Sequence, residues 1–393
     1  MDKWELGLLR DIVRLDTNST EQKNYPECAD VIRSYCEDAG LSVEVFDPRH
    51  DGGSQPNLVV TLDVGAPKTI LLCTHYDVVP AGDESAWTYP PFELTVKEDR
   101  VYGRGVADDK GGVVAALSAM RELSQRSSSR ANLQVLISPN EEIGGVWGID
   151  YLVNGPPKIR GDFAVVVDSG PEYVSIGASG VIAGTITVHG TQGHAGYPHA
   201  FNNPIHLSVP LLNALLDYVD LRRKVTSELP APPGSPFQKL WGRFSITMYH
   251  AGSKTNIIPG TAEISFDCRI VPEEDPEAVA REIETYVREN TSEVGIETDI
   301  SFITKGRGWS SDPDNPFTQV FLEAAREVAD PQIVMAADLG GNDGHYFTSV
   351  GIPTVCFGPI AADTNFHGID EFMRFSDYEK VKGVLIRFAE TCE

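Results

Sequence analysis

The sequence predicts an α/β protein with a mostly parallel central sheet and a compact α+β unit inserted into it. Two observations carry this. From residue 1 to about 179, helical periodicities alternate with short apolar strands, the pattern of a sheet covered on both faces. From 180 to 303 the order becomes β-α-β-β-α-β with alternating strands, the split βαβ unit of ferredoxin-like folds. Residues 304–393 then resume the first pattern. A length of 393 residues suits two or three domains.

Each element has a local reason. Leu6, Leu9, Ile12 and Val13 recur at helical spacing within 2–16. A second helix over 26–39 stops at Gly40. Strands follow at 41–46, 57–62 and 69–74; the last holds Ile70-Leu71-Leu72-Cys73, a buried run. Small residues over 111–124 predict a helix, 132–138 a strand, the region near Gly145 a further helix start, and 163–167 another buried strand. In the inserted unit, strands are expected at 181–189, 243–250, 261–270 and 295–303, with helices at 204–221 and 276–290. The Pro-rich stretch 228–235 reads as a loop. The last part is read as helix 316–327, strands 332–336 and 353–357, and a helix from Ser376.

Composition narrows the function classes. A formal charge of −25, from 57 acidic and 32 basic residues, opposes binding to nucleic acid or to an anionic membrane surface. No apolar run approaches the ~20 residues of a membrane span. The charged start, Met1-Asp2-Lys3-Trp4-Glu5, does not resemble a signal peptide, so a cytoplasmic location is expected. The six cysteines form no CxxC pair and read as buried small apolar residues.

The chemistry-bearing residues cluster just past buried strands. His75 and Asp77 follow the strand 69–74, where open α/β sheets gather ligands. Imidazole suits zinc, and Asp77 is spaced to orient His75; alone, HxD also fits a polar loop. Gly103-Arg104-Gly105-Val106-Ala107-Asp108-Asp109-Lys110-Gly111-Gly112 leads into a helix, where Asp is also an ordinary cap. It lacks the order of a phosphate-binding loop. Glu141 and Glu142 follow the strand 132–138; such a pair can divide metal binding from base catalysis or simply complement a helix dipole. Asp168 ends another strand, and His367 lies in a late loop. Together they suit two divalent ions bridged by a carboxylate and a water.

These segments, in this order and nearly end to end, resemble the M20 family of metallopeptidases and deacylases. The resemblance implies a zinc-exopeptidase-like catalytic domain (1–179 and 304–393) and a lid and dimerisation domain (180–303). It implies His75, Asp108 and Asp168 on one metal, and Asp108, Glu142 and His367 on the other, with Asp108 bridging. Zinc is expected, with cobalt or manganese as alternatives. Asp77 would orient His75, Glu141 would be the general base, and the peptide after Asp108 would be cis. In Gly190-Thr191-Gln192-Gly193-His194, His194 matches a histidine that polarises the substrate carbonyl, often across a dimer. Asn256, Arg269 and Gly341 are carried over as substrate-binding positions, with Arg269 suited to a carboxylate.

The implied activity is cleavage of an amide in a small N-acyl amino acid, with a place in amino-acid metabolism. The alternative within the family is a dipeptidase or carboxypeptidase. Asp109 replaces the Met of many deacylases and fits the dipeptidase branch. Gly340-Gly341-Asn342-Asp343-Gly344-His345 resembles the desuccinylase loop, with His345 where that loop has arginine. A non-catalytic binding protein on this fold would be expected to have lost ligands or base, whereas all five ligand positions and Glu141 are filled by competent residues.

Overall fold

The computed structural model describes residues 1–48, 53–292 and 295–392. The chain divides into two compact units. The first comprises 1–177, 310–336 and 342–393; the second comprises 178–309 and 337–341.

The first unit is organised by a mixed sheet. Its strands run in the order Ser42–Phe46, Asn57–Leu62, Asn132–Ser138, Thr69–His75, Phe163–Val166, Thr354–Cys356 and Val174–Ala178. The parallel strands are the central four, from Asn132–Ser138 to Thr354–Cys356. Antiparallel partners flank them on both sides. The central strands are apolar along their length because helices cover the sheet. Helix Lys110–Arg126 packs against both the sheet and helix Phe375–Thr391. Phe163 contacts Phe317 and Phe388, with ring centroids at 5.6 and 5.4 Å. The first helix, Lys3–Val13, opens with a capping box between Asp2 and Glu5, which satisfies two backbone donors.

In the second unit the strand order is Arg243–Ala251, Thr261–Ile270, Gly180–His189, Thr298–Gly306, all antiparallel. Helices Pro204–Arg222 and Pro276–Ser292 pack on the sheet. Ile182, Ile186, Ile264, Phe266 and Cys268 meet Leu211, Leu215, Tyr218, Ile283 and Val287 in one core. The alternate strand residues face away from that core. Arg222, the buried last residue of helix Pro204–Arg222, is held by Glu274 through two bonds of 2.9 and 2.6 Å.

Several boundaries differ from the sequence expectation. The helix expected near Gly145 begins at Ile149, because Gly144 and Gly145 both adopt positive φ and carry the chain through a turn first. Part of the Pro-rich stretch is extended: Thr226–Pro230 pairs with Lys239–Trp241. The strand expected at 332–336 is Met335–Asp338, since a turn at Asp330 (Ile333 N–H to Asp330 O, 3.1 Å) occupies its start. The strand expected at 295–303 starts at Thr298, after Gly295 turns with φ +67°. All six cysteines are buried and free. Among the described residues no helix is long and apolar enough to cross a membrane.

Candidate metal centre

Three neighbouring parallel strands end at the same edge of the sheet and deliver most of the site. His75 is the last residue of Thr69–His75. Glu141 and Glu142 open a 3-10 turn after Asn132–Ser138. Asp168 lies two residues past Phe163–Val166. Asp108 arrives from the glycine-rich loop before helix Lys110–Arg126, and His367 from the loop that precedes Phe372–Arg374. Strand carboxyl ends are where open α/β sheets leave room for a ligand.

The side chains converge as two trios sharing one carboxylate. His75, Asp108 and Asp168 form one; Asp108, Glu142 and His367 form the other; within each trio the ligand atoms lie within 4.8 Å of one another. Asp108 Oδ1 is 3.1 Å from His75 Nε2, and Asp108 Oδ2 is 3.0 Å from His367 Nε2. His75 Nε2 is 3.8 Å from Asp168 Oδ2, and His367 Nε2 is 3.2 Å from Glu142 Oε2. Donors held about 2.0–2.2 Å from one tetrahedral ion lie about 3.3–3.6 Å apart. The observed separations bracket that range. Glu142 Oε1 is also buried without a hydrogen-bond partner. The donor set therefore fits two divalent cations.

The electrostatics point the same way. Burial opposes charge on Asp108, but hydrogen bonds from His367 and His75 override it and hold the carboxyl below its usual range. Asp168 is pushed up by burial and by the charge of Asp108. Glu141 is pushed up by burial, with Asp168, Asp343 and Glu142 adding to it. Burial and Asp108 push Glu142 up to about 7. His367 is raised to about 10 by its hydrogen bonds to Asp108 and Glu142. Burial disfavours the charged form of His75, yet its bonds to Asp108 and Asp77 raise it. Crowded carboxylates retain protons, and bound cations displace protons from such a cluster.

Asp77 does more than face His75. Its carboxylate lies 3.3 Å from His75 Nδ1, and it also accepts the backbone N–H of Glu141 at 3.2 Å and of Glu142 at 3.1 Å. One buried side chain thus sets the ring of His75 and the turn bearing both glutamates. The glycines after Asp109 have a steric reason. A Cβ at Gly112 would stand 1.9 Å from Asp109 Oδ1, and one at Gly111 would stand 2.2 Å from Val106 O. The Asp108–Asp109 peptide is cis. His367 sits in the left-handed region, at φ +61°, which is uncommon for a residue other than glycine.

In the second unit, Gly193–His194 pairs with Ile257–Ile258, and Ala195 N–H donates to Asn256 O at 3.0 Å, so His194 and Asn256 are neighbours. His194 is exposed, and its Nδ1 accepts the N–H of Gly196 at 3.0 Å. In the neutral ring, Nε2 is then the donor. Arg269 lies near the other end of the sheet, paired with Val181, and bonds Asp267 at 2.9 Å. Gly341 belongs to this unit as well, beside the Ser179 carbonyl.

Sequence reasoning missed several contributors. Glu371 is wholly buried and accepts from Arg104 Nη1 at 2.6 Å, Gly105 N at 3.0 Å, Ala107 N at 2.9 Å and Asp108 N at 3.2 Å. It ties the loop of Asp108 to the loop of His367. Arg104 also donates to Gly368 O at 3.0 Å. Lys110 Nζ donates to Ile12 O and Leu15 O, at 2.9 and 2.8 Å, joining the same loop to the end of the first helix. The signal was present as charged residues inside glycine-rich motifs, but no spacing rule links positions so far apart.

Residues 71–391 match the family described as Peptidase family M20/M25/M40. A succinyl-diaminopimelate desuccinylase of Alkalilimnicola ehrlichii is 30% identical over 327 residues, covering 80% of this chain and 82% of that protein. The fold is similar to that of the M20 family metallo-carboxypeptidase Sso-CP2 from Sulfolobus solfataricus, with TM-score 0.83 at 20% identity over 99% of both chains. It is similar also to that of the di-peptidase Dug1p from Saccharomyces cerevisiae, with TM-score 0.82 at 19% identity over 99% of this chain and 96% of that one.

The Glu371 network makes a testable statement. Glu371→Gln keeps the volume but removes the charge that gathers Arg104 and three amides. Zinc affinity, read by competition with a chromophoric chelator, is expected to fall about 10- to 100-fold. Unchanged affinity would show that the two loops hold Asp108 and His367 without it.

Proposed function

The chain belongs to peptidase family M20/M25/M40, and on that premise we propose that it is a hydrolase that uses two divalent metal ions to cleave the amide bond of a small N-acyl amino acid. The observation that carries this reading is the placement of Asp108, whose two oxygens each face the imidazole of a different ligand trio. Zinc is the favoured metal, because histidine and carboxylate donors in near-tetrahedral sets suit it; cobalt or manganese would fit the same donors.

When bound, the two cations supply Lewis-acid polarisation of the amide carbonyl and acidify a water. The residues of the chain do the rest. His75, Asp168, Glu142, His367 and the shared Asp108 hold the ions. Asp77 fixes His75 and the Glu141–Glu142 turn. Glu141, which is not in either trio, takes the proton of the attacking water and delivers it to the leaving amine. His194 donates Nε2–H to the developing oxyanion, with Asn256 beside it. Arg269 binds the substrate carboxylate through its fork.

His194 and Arg269 bear on assembly. Strand Thr261–Ile270 runs from a pair with His189 to a pair with Gly180. At about 3.3 Å per residue, Arg269 is some 26 Å from the end of the sheet nearest His194. One small substrate does not span both within a single copy. The reading is therefore of a homodimer through the second unit, in which a second copy supplies His194. Exposed Val209 and Leu216, seven residues apart on helix Pro204–Arg222, offer an apolar stripe for that contact.

A peptidase reading is the alternative, and one observation favours it over a desuccinylase. His345 stands where the resembling loop has arginine; its Nδ1 donates to Asn342 O at 3.0 Å, and burial pushes the ring down, which favours its neutral form. It offers no cation to a succinyl carboxylate.

Amine release from N-acetyl- and N-succinyl-amino acids and from dipeptides, with zinc- or cobalt-loaded enzyme, is the direct test. Release from N-acetyl-amino acids supports the proposal, release from dipeptides alone moves the chain to the peptidase reading, and no release counts against both.

Glu141→Ala is expected to cut kcat by about 10²–10⁴-fold with both metals retained; normal turnover would remove it from the mechanism. His194→Ala should lower kcat without metal loss. Co-expressing these two impaired variants should restore about a quarter of wild-type sites, since half the dimers are mixed and each mixed dimer holds one intact site. No recovery would mean that His194 acts within its own copy.

A further inference from the structure

Strand Arg243–Ala251 pairs with Thr261–Ile270 in a register that sets Arg243 directly opposite Arg269. Residues so opposed have Cβ atoms about 4.5–5.5 Å apart on one face of the sheet, and like charges there repel. The face is the one turned away from the core, whose residues Phe244 and Cys268 alternate with them.

The balance of charge at this place is incomplete. Asp267, on the same face, already binds Arg269 Nε at 2.9 Å. Arg243 donates to Trp241 O at 3.0 Å, to Ser179 Oγ at 2.8 Å and to Leu339 O at 2.6 Å, all neutral acceptors. Among the described residues no carboxylate forms an ion pair with Arg243. Its guanidinium lies over the Trp241 ring, 5.2 Å from the centroid. Burial, and then the neighbouring Arg269, push it down to about 10, so it remains a cation at neutral pH. Two guanidinium groups thus stand opposed with one carboxylate between them in the charge balance, bonded to Arg269 alone, in a chain whose overall charge is −25.

We propose that Arg243 is a specificity-determining residue that, with Arg269, seats the free carboxylate of the substrate. This rests on the reading of Arg269 as the carboxylate anchor. Arg269 leaves Nη1 and Nη2 without partners among the described residues, so its fork is open to a planar anion. Arg243 adds the second positive charge. It also fixes the segment 337–341 through Leu339 O and Ser179, placing Gly341 next to the same strands; a Cβ at Gly341 would stand 3.3 Å from Ser179 O. The class of substrate that follows has an unblocked carboxylate, as in an N-acyl amino acid or a peptide with a free C-terminus. Amides and esters of the same compounds are disfavoured.

The test uses zinc-loaded full-length protein carrying Glu141→Ala, so that binding is read without turnover. Calorimetry compares N-acetyl-L-leucine with N-acetyl-L-leucinamide, and L-alanyl-L-leucine with L-alanyl-L-leucinamide. The acids are expected to bind more tightly than the amides, and adding Arg243→Met should shrink that preference by about tenfold or more. Arg243→Lys, which keeps the charge but not the fork, should shrink it less, and it carries the test alone if the Met variant fails to fold. An unchanged preference in the Arg243 variants, where Arg269→Met abolishes it, overturns this inference and leaves the anchor in place. An unchanged preference in Arg269→Met, or no tighter binding of the acids by the parent, overturns both.

Discussion

The architecture of the first unit depends on one electrostatic problem: several carboxylates must be held together out of water. Asp77, Asp108, Glu141, Glu142 and Asp168 converge on one strand edge, and the charge on each raises the cost of charging the next. Asp108 is held below its usual range, because both imidazoles bond it. A cluster of this kind is unfavourable for a protein that has no use for it. Two divalent cations would resolve it at once, taking the place of the protons on the acids and the histidines.

Holding such a cluster requires a frame that does not relax. Parallel strands supply it, since three adjacent C-terminal ends are fixed relative to one another by the sheet hydrogen bonds. Asp77 then couples two of those ends directly. The ligands that do not come from strands are fixed by buried charge instead. Glu371 binds the loop of Asp108 from the side of His367, and Lys110 binds it from the side of the first helix. Removing one partner of such a buried bonded set leaves the other charge stranded, which is why these contacts are costly to break.

This division explains what was legible in the sequence. Strands announce themselves as short apolar stretches or by period-two alternation, so 57–62 and 132–138, and the alternating 261–270, were readable to the residue. The acids and histidines just beyond them stood out because such residues have no reason to sit at the ends of apolar strands. What failed was what depends on partners distant in the chain. Arg104 and Glu371 meet across 267 residues, and nothing local marks either as half of a pair. The helix placed near Gly145 failed for a local reason, two left-handed glycines whose torsions a propensity argument does not resolve. Arg243 begins a strand that was expected, but its meaning lies in the register with Arg269, which is a property of two strands and of neither alone.

The two units divide the chemical labour in a way that bears on selectivity. The first carries the candidate metal ligands and the proposed base, Glu141. The second carries the groups proposed to read the substrate: His194 at one end of its sheet and the opposed Arg243 and Arg269 at the other. On the proposed reading, a carboxylate moved from water to the paired guanidinium groups would relieve their mutual repulsion as it gains charge-assisted bonds. An amide in the same position brings no negative charge, and would leave the two cations facing each other. Discrimination of this sort is built from repulsion in the free protein as much as from attraction in the complex. On this reading, a change in the register of two strands in the second unit would change what is selected without touching a candidate metal ligand.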